Sequence, residues 1–247
     1  MVSPHPLPGA VGLSHLSPYD WEAVDGVCGG SPHLHLACTE AYVVTGGFGA
    51  VQTLTPAGYR ETPLEPGSVV WFTPGTVHRM VQGSNLRVTV LMQNSGLPEA
   101  GDAVFTFPPD VLTDPERYEE AAVLPEGTGP KTEKAARRRR DLAVEGYLVL
   151  REALRQDDPD PYLAFQRAAA RLVRDRVPAW RDRWRTGAPA AAERTGAHLS
   201  VLESGDTSHL RAAGTYLAEP ARRGAFGMCG YRDTYAAGDS ARPSGGG

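Results

Sequence analysis

Four residues in the first third of the chain have the types and spacing to hold a metal ion: His33, His35, Glu40 and His78. On a β-strand, side chains two residues apart point to the same side. A strand through His33 and His35 therefore aims both imidazoles into one space. Glu40 returns a carboxylate to that space if a small irregularity follows His35. The run Pro74-Gly75-Thr76-Val77-His78 puts a turn before a strand, which lets His78 approach from a facing wall. Three imidazoles and one carboxylate form a mixed nitrogen and oxygen donor set. Such a set suits one divalent transition metal, Fe, Mn, Co, Ni, Cu or Zn, and leaves positions open for water or substrate. The plain alternative is structural: two satisfied core histidines, and a glutamate paired with an arginine.

Strand parity extends the set. Tyr42 shares a face with Glu40, and Met80 and Gln82 share one with His78; Gln52 and Trp71 are further candidates for the cavity wall. A phenol and an amide beside a metal orient a polar substrate, so Tyr42 and Gln52 are the candidate catalytic residues. Ordinary packing also accounts for Tyr42, Trp71 and Met80. Arg79 and Arg87 are either a clamp for a carboxylate or phosphate, or exposed strand arginines.

The elements that must position these groups are short strands. Alternating or β-branched runs cover 41–45, 50–55, 68–73, 77–81, 86–93 and 104–107, separated by Gly46-Gly47, Pro56-Ala57-Gly58, Glu65-Pro66-Gly67, Pro74-Gly75 and Gly83-Ser84-Asn85. Close, regular spacing of this kind predicts an all-β sandwich or barrel, and the lack of intervening helical runs disfavours a parallel βαβ sheet. After that the period changes. Thr113-Asp114-Pro115 reads as a helix start. Periodic apolar positions predict helices over 132–156, 161–184 and 189–202, with Asp160 an N-cap and Pro178 splitting the second. The expected organisation is an arm over 1–27, a barrel over 28–112, a linker with a short helix over 113–130, a helical region over 131–223, and a tail over 224–247. Within the tail, the Gly/Ser/Pro-rich residues 238–247 are expected to be disordered.

The spacing of the four donors resembles the cupin superfamily. Its first motif, two histidines one residue apart, a glutamate and then a glycine, is matched by His33-x-His35, Glu40 and Gly47; its second, a glycine, a Pro-Gly turn and a histidine, by Gly67, Pro74-Gly75 and His78. Three details depart from the pattern. The upstream glycine, Gly30, stands close to the histidine pair; Pro74 and Gly75 are adjacent; and the asparagine after the last histidine would be Asn85, further on than usual. The resemblance covers roughly residues 28–108. It implies a mainly β fold, a double-stranded β-helix barrel, with the helical region appended. It also implies His33, His35, Glu40 and His78 as ligands of one divalent metal, and pairing through barrel edges, hence a homodimer.

Composition sets outer bounds. At 41% hydrophobic and 22% charged residues, the chain can build a core. Charge is unevenly spread: residues 1–129 hold 4 Lys/Arg against 14 Asp/Glu, and residues 130–223 hold 19 against 13. The four arginines at 137–140, with Asp141 and Glu145 close behind and no interleaved aromatics, read as a solvated helix face, so no nucleic-acid partner is expected. His198 and His209 read as surface residues. Cys28, Cys38 and Cys229 match no CxxC pattern and read as reduced thiols. No apolar run has the length of a membrane span and no basic leader precedes an apolar block, so a cytoplasmic protein without a membrane partner is expected.

These readings point to a metal-dependent enzyme acting on a small polar metabolite. Cupins with this ligand set include dioxygenases, decarboxylases, lyases and sugar isomerases or epimerases. Dioxygenase-like chemistry is favoured slightly over a sugar or polyol isomerase or epimerase. The non-enzymatic reading is a metabolite-sensing module passing a signal to the helices, although no helix-turn-helix with a polar recognition helix is evident. The helical region is expected to form a lid or a dimer interface. The aromatic segment 229–235 is expected to dock on the barrel or on a partner subunit.

Overall fold

A computed structural model describes residues 6–235 and the backbone of 241–243. Strands β1 (Gly12–Pro18), β2 (His33–His35), β3 (Glu40–Thr55), β4 (Gly58–Leu64), β5 (Val69–Phe72), β6 (Val77–Met92) and β7 (Ala103–Phe105) come first. Helices α1 (Pro109–Leu112), α2 (Pro115–Ala122), α3 (Pro130–Arg155), α4 (Asp160–Val173), α5 (Val177–Thr186) and α6 (Ala188–Glu203) follow. The described chain closes with β8 (Tyr216–Ala218), β9 (Arg222–Phe226), β10 (Gly230–Thr234) and β11 (Ala241–Pro243).

The scaffold is a long antiparallel ribbon of β3 and β6, each 16 residues, where the sequence suggests two shorter strands apiece. Gly46-Gly47 and Gly83-Ser84-Asn85 are not hairpin turns. They are the place where the paired strands bend together, with register shifts between Val44 and Gly49. Gly47 takes φ +69°, and a Cβ there would stand 2.1 Å from the Asn85 carbonyl oxygen, so only glycine fits this crossing. Asn85 lies exposed in the same bend.

The bend folds the ribbon into two facing layers. In the first, β5, residues 40–44 of β3, residues 88–92 of β6, β1, β10 and β9 lie side by side. In the second, the order is β4, residues 49–54 of β3, residues 77–82 of β6, β2 and β7. The segment read as an arm thus contributes β1, and the segment read as a tail contributes β10. Alternating Leu13, His15 and Ser14, Leu16 suit β1 to a half-buried strand once a partner edge exists, which local pattern alone does not reveal. Of residues 238–247, all but 241–243 lie outside the described residues; 241–243 pair with β8.

Helices α3 and α4 back the outer face of the second layer. Tyr147 of α3 donates to Gln52 Oε1 at 3.2 Å, Thr106 Oγ1 donates to the Ala143 carbonyl at 2.7 Å, and the Tyr162 hydroxyl of α4 lies 3.1 Å and 2.5 Å from the carbonyl oxygens of Leu54 and Gly75. One apolar core runs from Val51, Leu54 and Phe105 into Tyr147, Leu150, Tyr162 and Phe165. This explains why residues 51–54 are buried without alternation: helices cover one side and the barrel interior the other.

The helix signals are carried largely as expected. Asp114 accepts from the amides of Glu116 and Arg117, with Pro115 in the first turn. Pro178 stands in the first turn of α5, after a 3₁₀ turn at Arg174–Arg176 has ended α4. Asp160 is not the cap; the Asp158 carboxylate accepts from the Asp160 amide instead. No residue of α6 is buried. No helix among the described residues is long and apolar enough to cross a membrane.

The arginine run is not a solvated face. Successive residues of a helix are spread around its axis, which leaves Arg138 exposed but turns Arg139 and Arg140 inward, at 8% and 0% exposure. Arg140 donates to the carbonyls of Trp21 (2.6 Å) and Glu22 (2.5 Å) and pairs with Asp141. Arg137 stacks on Trp21 at 4.1 Å. Arg79, also fully buried, is neither exposed nor a free clamp: it makes a two-pronged ion pair with Asp25 at 2.6 and 3.1 Å. Arg87 is exposed.

Candidate metal centre

β2 supplies His33 and His35, and His33 is the register partner of His78 on β6. Glu40 comes from the facing layer, at the start of β3. The structure brings all four together: one donor atom of each lies within 4.8 Å of every other, and all four residues are buried, at 1–7% exposure. Metal bonds of about 2.0–2.2 Å hold donors within about 4.4 Å of one another, so a contraction of a few tenths of an ångström would seat one ion.

The imidazoles are turned the same way by their far nitrogens. His33 Nδ1 donates to the Ser31 carbonyl (2.9 Å) and His78 Nδ1 to the Thr76 carbonyl (3.2 Å). A carbonyl oxygen only accepts, so in both rings Nδ1 carries a proton and Nε2 is the nitrogen turned inward. His35 Nδ1 bonds to Asp102 Oδ2 at 3.0 Å. Asp102 is itself fixed by the amides of Leu36, Ala37 and Cys38. Phe72 stacks on His78 with ring centres 4.7 Å apart.

The inward atoms are short of partners. His78 Nε2 and Glu40 Oε2 face each other at 2.9 Å, yet neither makes an oriented hydrogen bond, and both are buried. Leaving such groups unsatisfied costs about 1–3 kcal/mol each. Glu40 is held well below the usual carboxylate range: burial favours its neutral form, but His78 and His35 outweigh it. Burial, with His78 and His35 nearby, holds His33 well below the ordinary imidazole range. Burial opposes charge on His35 too, but the carboxylates of Asp102 and Glu40 beside it raise it to about 9. An ionised carboxylate, three inward-facing imidazole nitrogens and unsatisfied buried atoms on one centre fit a divalent cation.

Two sheets face each other on a bent common ribbon, as a barrel requires, but the sequence expectation of His78 on a facing wall is corrected: His78 lies beside His33 in the same sheet, and it is Glu40 that comes from the facing one. Strands from the first half of the chain, extended by β10 and β9, form a double-stranded β-helix barrel of the cupin type.

Of the other predicted site residues, the barrel takes in Tyr42 and excludes Gln52. Tyr42 is fully buried, with its ring centre 6.2 Å from that of His78 and its hydroxyl 3.8 Å from Cys229 Sγ. Burial, Cys229 and Glu40 push its phenol well up, so it is a neutral group. Gln52 pairs in register with Arg79, on the side away from His78, and donates to Glu61 at 2.9 Å. The register shifts at 44–49 reverse the parity, so Tyr42 points inward and Gln52 outward. Trp71 also points outward, 66% exposed. Met80 is fully buried, and Gln82 is spent on Pro18 and Leu86. His198 and His209 stack on each other far along the chain, outside the quartet.

The cavity beside the quartet holds about 260 Å³ and draws its wall from both halves of the chain: His33, His35 and Glu40 with Arg139, Cys229 and Arg232. Burial and Glu40 push the Cys229 thiol up to about 12. The segment around it docks on the barrel as strand β10, and Ser31 N donates to the Met228 carbonyl at 2.8 Å. Asp102, Arg139 and Arg232 escape sequence reasoning. Asp102 stands 67 residues from His35 with no spacing rule to connect them, and Arg139 is masked by its charged neighbours.

No protein-family model and no curated protein matches the chain. Among solved structures, similarity is found to the TDP-quinovose 3,4-ketoisomerase WlaRB from Campylobacter jejuni, at 12% identity and TM-score 0.29 over 33% of this chain and 60% of that one. It is found also to the sugar 3,4-ketoisomerase QdtA from Thermoanaerobacterium thermosaccharolyticum, at 14% and 0.32 over 37% and 64%. KdgF from Halomonas sp. is similar at 19% and 0.27 over 36% and 71%. The chain thus spans less than two thirds of the length of the two isomerases, and likeness at this level carries nothing about activity.

Proposed function

We propose that the chain is a mononuclear metal-dependent enzyme acting on a small polar metabolite, with His33, His35, Glu40 and His78 as the metal ligands. The observation that carries this reading is the convergence of three imidazoles and one ionised carboxylate on a buried centre beside a cavity. When bound, Fe, Mn, Ni, Zn or Cu would supply Lewis acidity and, for a redox-active ion, access to oxygen chemistry. The chain's own groups shape the cavity: Leu16, Val90 and Met92 exclude water, and Tyr42, a neutral phenol, stands behind the wall with its hydroxyl 3.8 Å from Cys229 Sγ, placed to act through that thiol.

Dioxygenase-like chemistry is the finer reading. The buried protic groups beside the quartet, Cys229 on the wall and Tyr42 behind it, are both pushed upward and stay protonated, so chemistry carried by the metal is favoured over proton shuttling. One observation favours a metal-dependent sugar or polyol isomerase: Glu99, an exposed carboxylate on the cavity rim, has the type to move a proton. Screening small metabolites in air and under argon separates the two. Oxygen uptake coupled to substrate loss supports the first. Turnover under argon with Zn or Mn supports the second and ends the first.

A homodimer remains part of the proposal. β5 is an edge strand that leaves Val69 and Trp71 56% and 66% exposed, an apolar edge of the kind that pairing covers.

A further inference from the structure

Among the described residues three arginines are buried, and two of them, Arg79 and Arg140, have acidic partners, Asp25 and Asp141. The third, Arg139, has none among the described residues. Its two Nη atoms donate to the carbonyls of Ala122 (3.1 Å) and Gly227 (2.7 Å), and its Nε, also buried, has no partner. A buried guanidinium without a counter-charge is expensive, because carbonyl dipoles do not replace a carboxylate. Arg139 nevertheless stands on the wall of the cavity that the metal quartet shares.

A second guanidinium faces the same space. On β10, Tyr231 turns toward Tyr19 and Trp21, while Arg232 and Thr234 turn toward the cavity with Leu16 and Ser14, their register partners on β1. Arg232 makes no ion pair among the described residues, and its Nε is buried and unpartnered. The two cations repel each other, which adds to the burial that already lowers the Arg139 pKa. Two converging positive groups with idle buried donors are what a planar oxyanion satisfies, by charge and by paired N–H donors.

We propose that Arg139 and Arg232 form a clamp for the oxyanion of the substrate, a carboxylate or a phosphate, so that an anionic metabolite lies between the clamp and the metal centre. A cavity of about 260 Å³ restricts it to a small organic acid or small phosphate ester. The clamp is built by the second half of the chain, which gives the helical region and the closing strands a part in recognition. The proposal rests on the metal-dependent reading only for what happens at the substrate's other end.

The test uses full-length protein stripped of metal by chelation, titrated calorimetrically at low salt with inorganic phosphate and, separately, succinate. Saturable binding of at least one probe is expected. Arg232→Gln should weaken it about tenfold or more, the size of one charge-assisted hydrogen bond, with Arg232→Lys falling between. Arg139→Gln should do the same; because Arg139 also ties down Gly227, the half-buried Arg232 keeps the test valid if that variant does not fold. A preference for phosphate identifies a phosphate ester, and a preference for succinate a carboxylate. No saturable binding, or binding unchanged in Arg232→Gln, overturns the clamp. Metal uptake is measured on the same samples. Anion binding without metal uptake sinks the metal reading and leaves the clamp, and metal uptake without anion binding does the reverse.

Discussion

Asp102 Oδ2 sits 3.0 Å from His35 Nδ1, at the far side of the imidazole from the quartet's centre. The same carboxylate gathers the amides of Leu36, Ala37 and Cys38, so the irregular turn between β2 and β3 is wound around it. One buried acid thereby sets the tautomer of His35 and the path that returns Glu40 to the site.

Replacing that acid should loosen metal binding more than it loosens the fold. Asp102→Asn keeps an acceptor for the amides but removes the charge behind His35. Metal affinity, measured by competition with a chelator, should fall about 10–100-fold. An affinity within twofold of wild type would remove Asp102 from the support of the site.

The Arg79–Asp25 pair fixes the loop before β2 and should matter for stability. Asp25→Asn leaves Arg79 buried without a counter-charge and should cost about 3–5 kcal/mol in denaturant unfolding. The pH dependence has a definite sign. Burial works against the Asp25 charge, but Arg79 lowers its pKa below the ordinary value on folding. Its contribution is therefore complete above the unfolded value of about 3.9 and is lost as pH falls through the lower folded value. The gap between wild type and variant should be flat from neutrality to about pH 5 and close in acid; a gap that grows in acid would contradict the pairing.

How much of this was legible in the sequence follows from distance along the chain. The donors His33, His35, Glu40 and His78 could be picked out because strand parity and a local turn are short-range rules. Gln52 could not be placed, because the register shifts around Gly47 reverse inside and outside between Tyr42 and Gln52. β1 and β10 were hidden for another reason. Each is a short segment that becomes a strand only between distant partners, β1 between β6 and β10 and β10 between β1 and β9, in pairings that join residues 14 and 234. Arg139 was obscured by its neighbours: four consecutive arginines carry no mark of which two the helix turns inward.

Gly30 tests how tightly the closing segment is held. A Cβ there would stand 2.5 Å from the Cys229 Cα and 2.8 Å from its carbonyl oxygen, both backbone atoms that cannot swing aside. Gly30→Ala should destabilise by about 1–3 kcal/mol through overpacking. It should also raise amide exchange in residues 226–234 above that in β3 and β6. Uniform exchange across all strands would contradict a selective release of this segment.

For the proposed dimer, light scattering at micromolar concentration should give twice the chain mass, and Trp71→Lys should give the monomer mass. A wild-type monomer would end the proposal for the β5 edge.

The most direct measurement is metal content. Full-length protein loaded with Zn, Mn or Fe, passed through a desalting column and analysed for the element should carry one ion per chain. His78→Ala should lose most of it, because one of four donors is gone, while Gln52→Ala, which alters a residue facing away from the site, should retain it. A wild-type chain that holds no metal under these conditions, or a His78→Ala variant loaded as fully as wild type, would contradict the account.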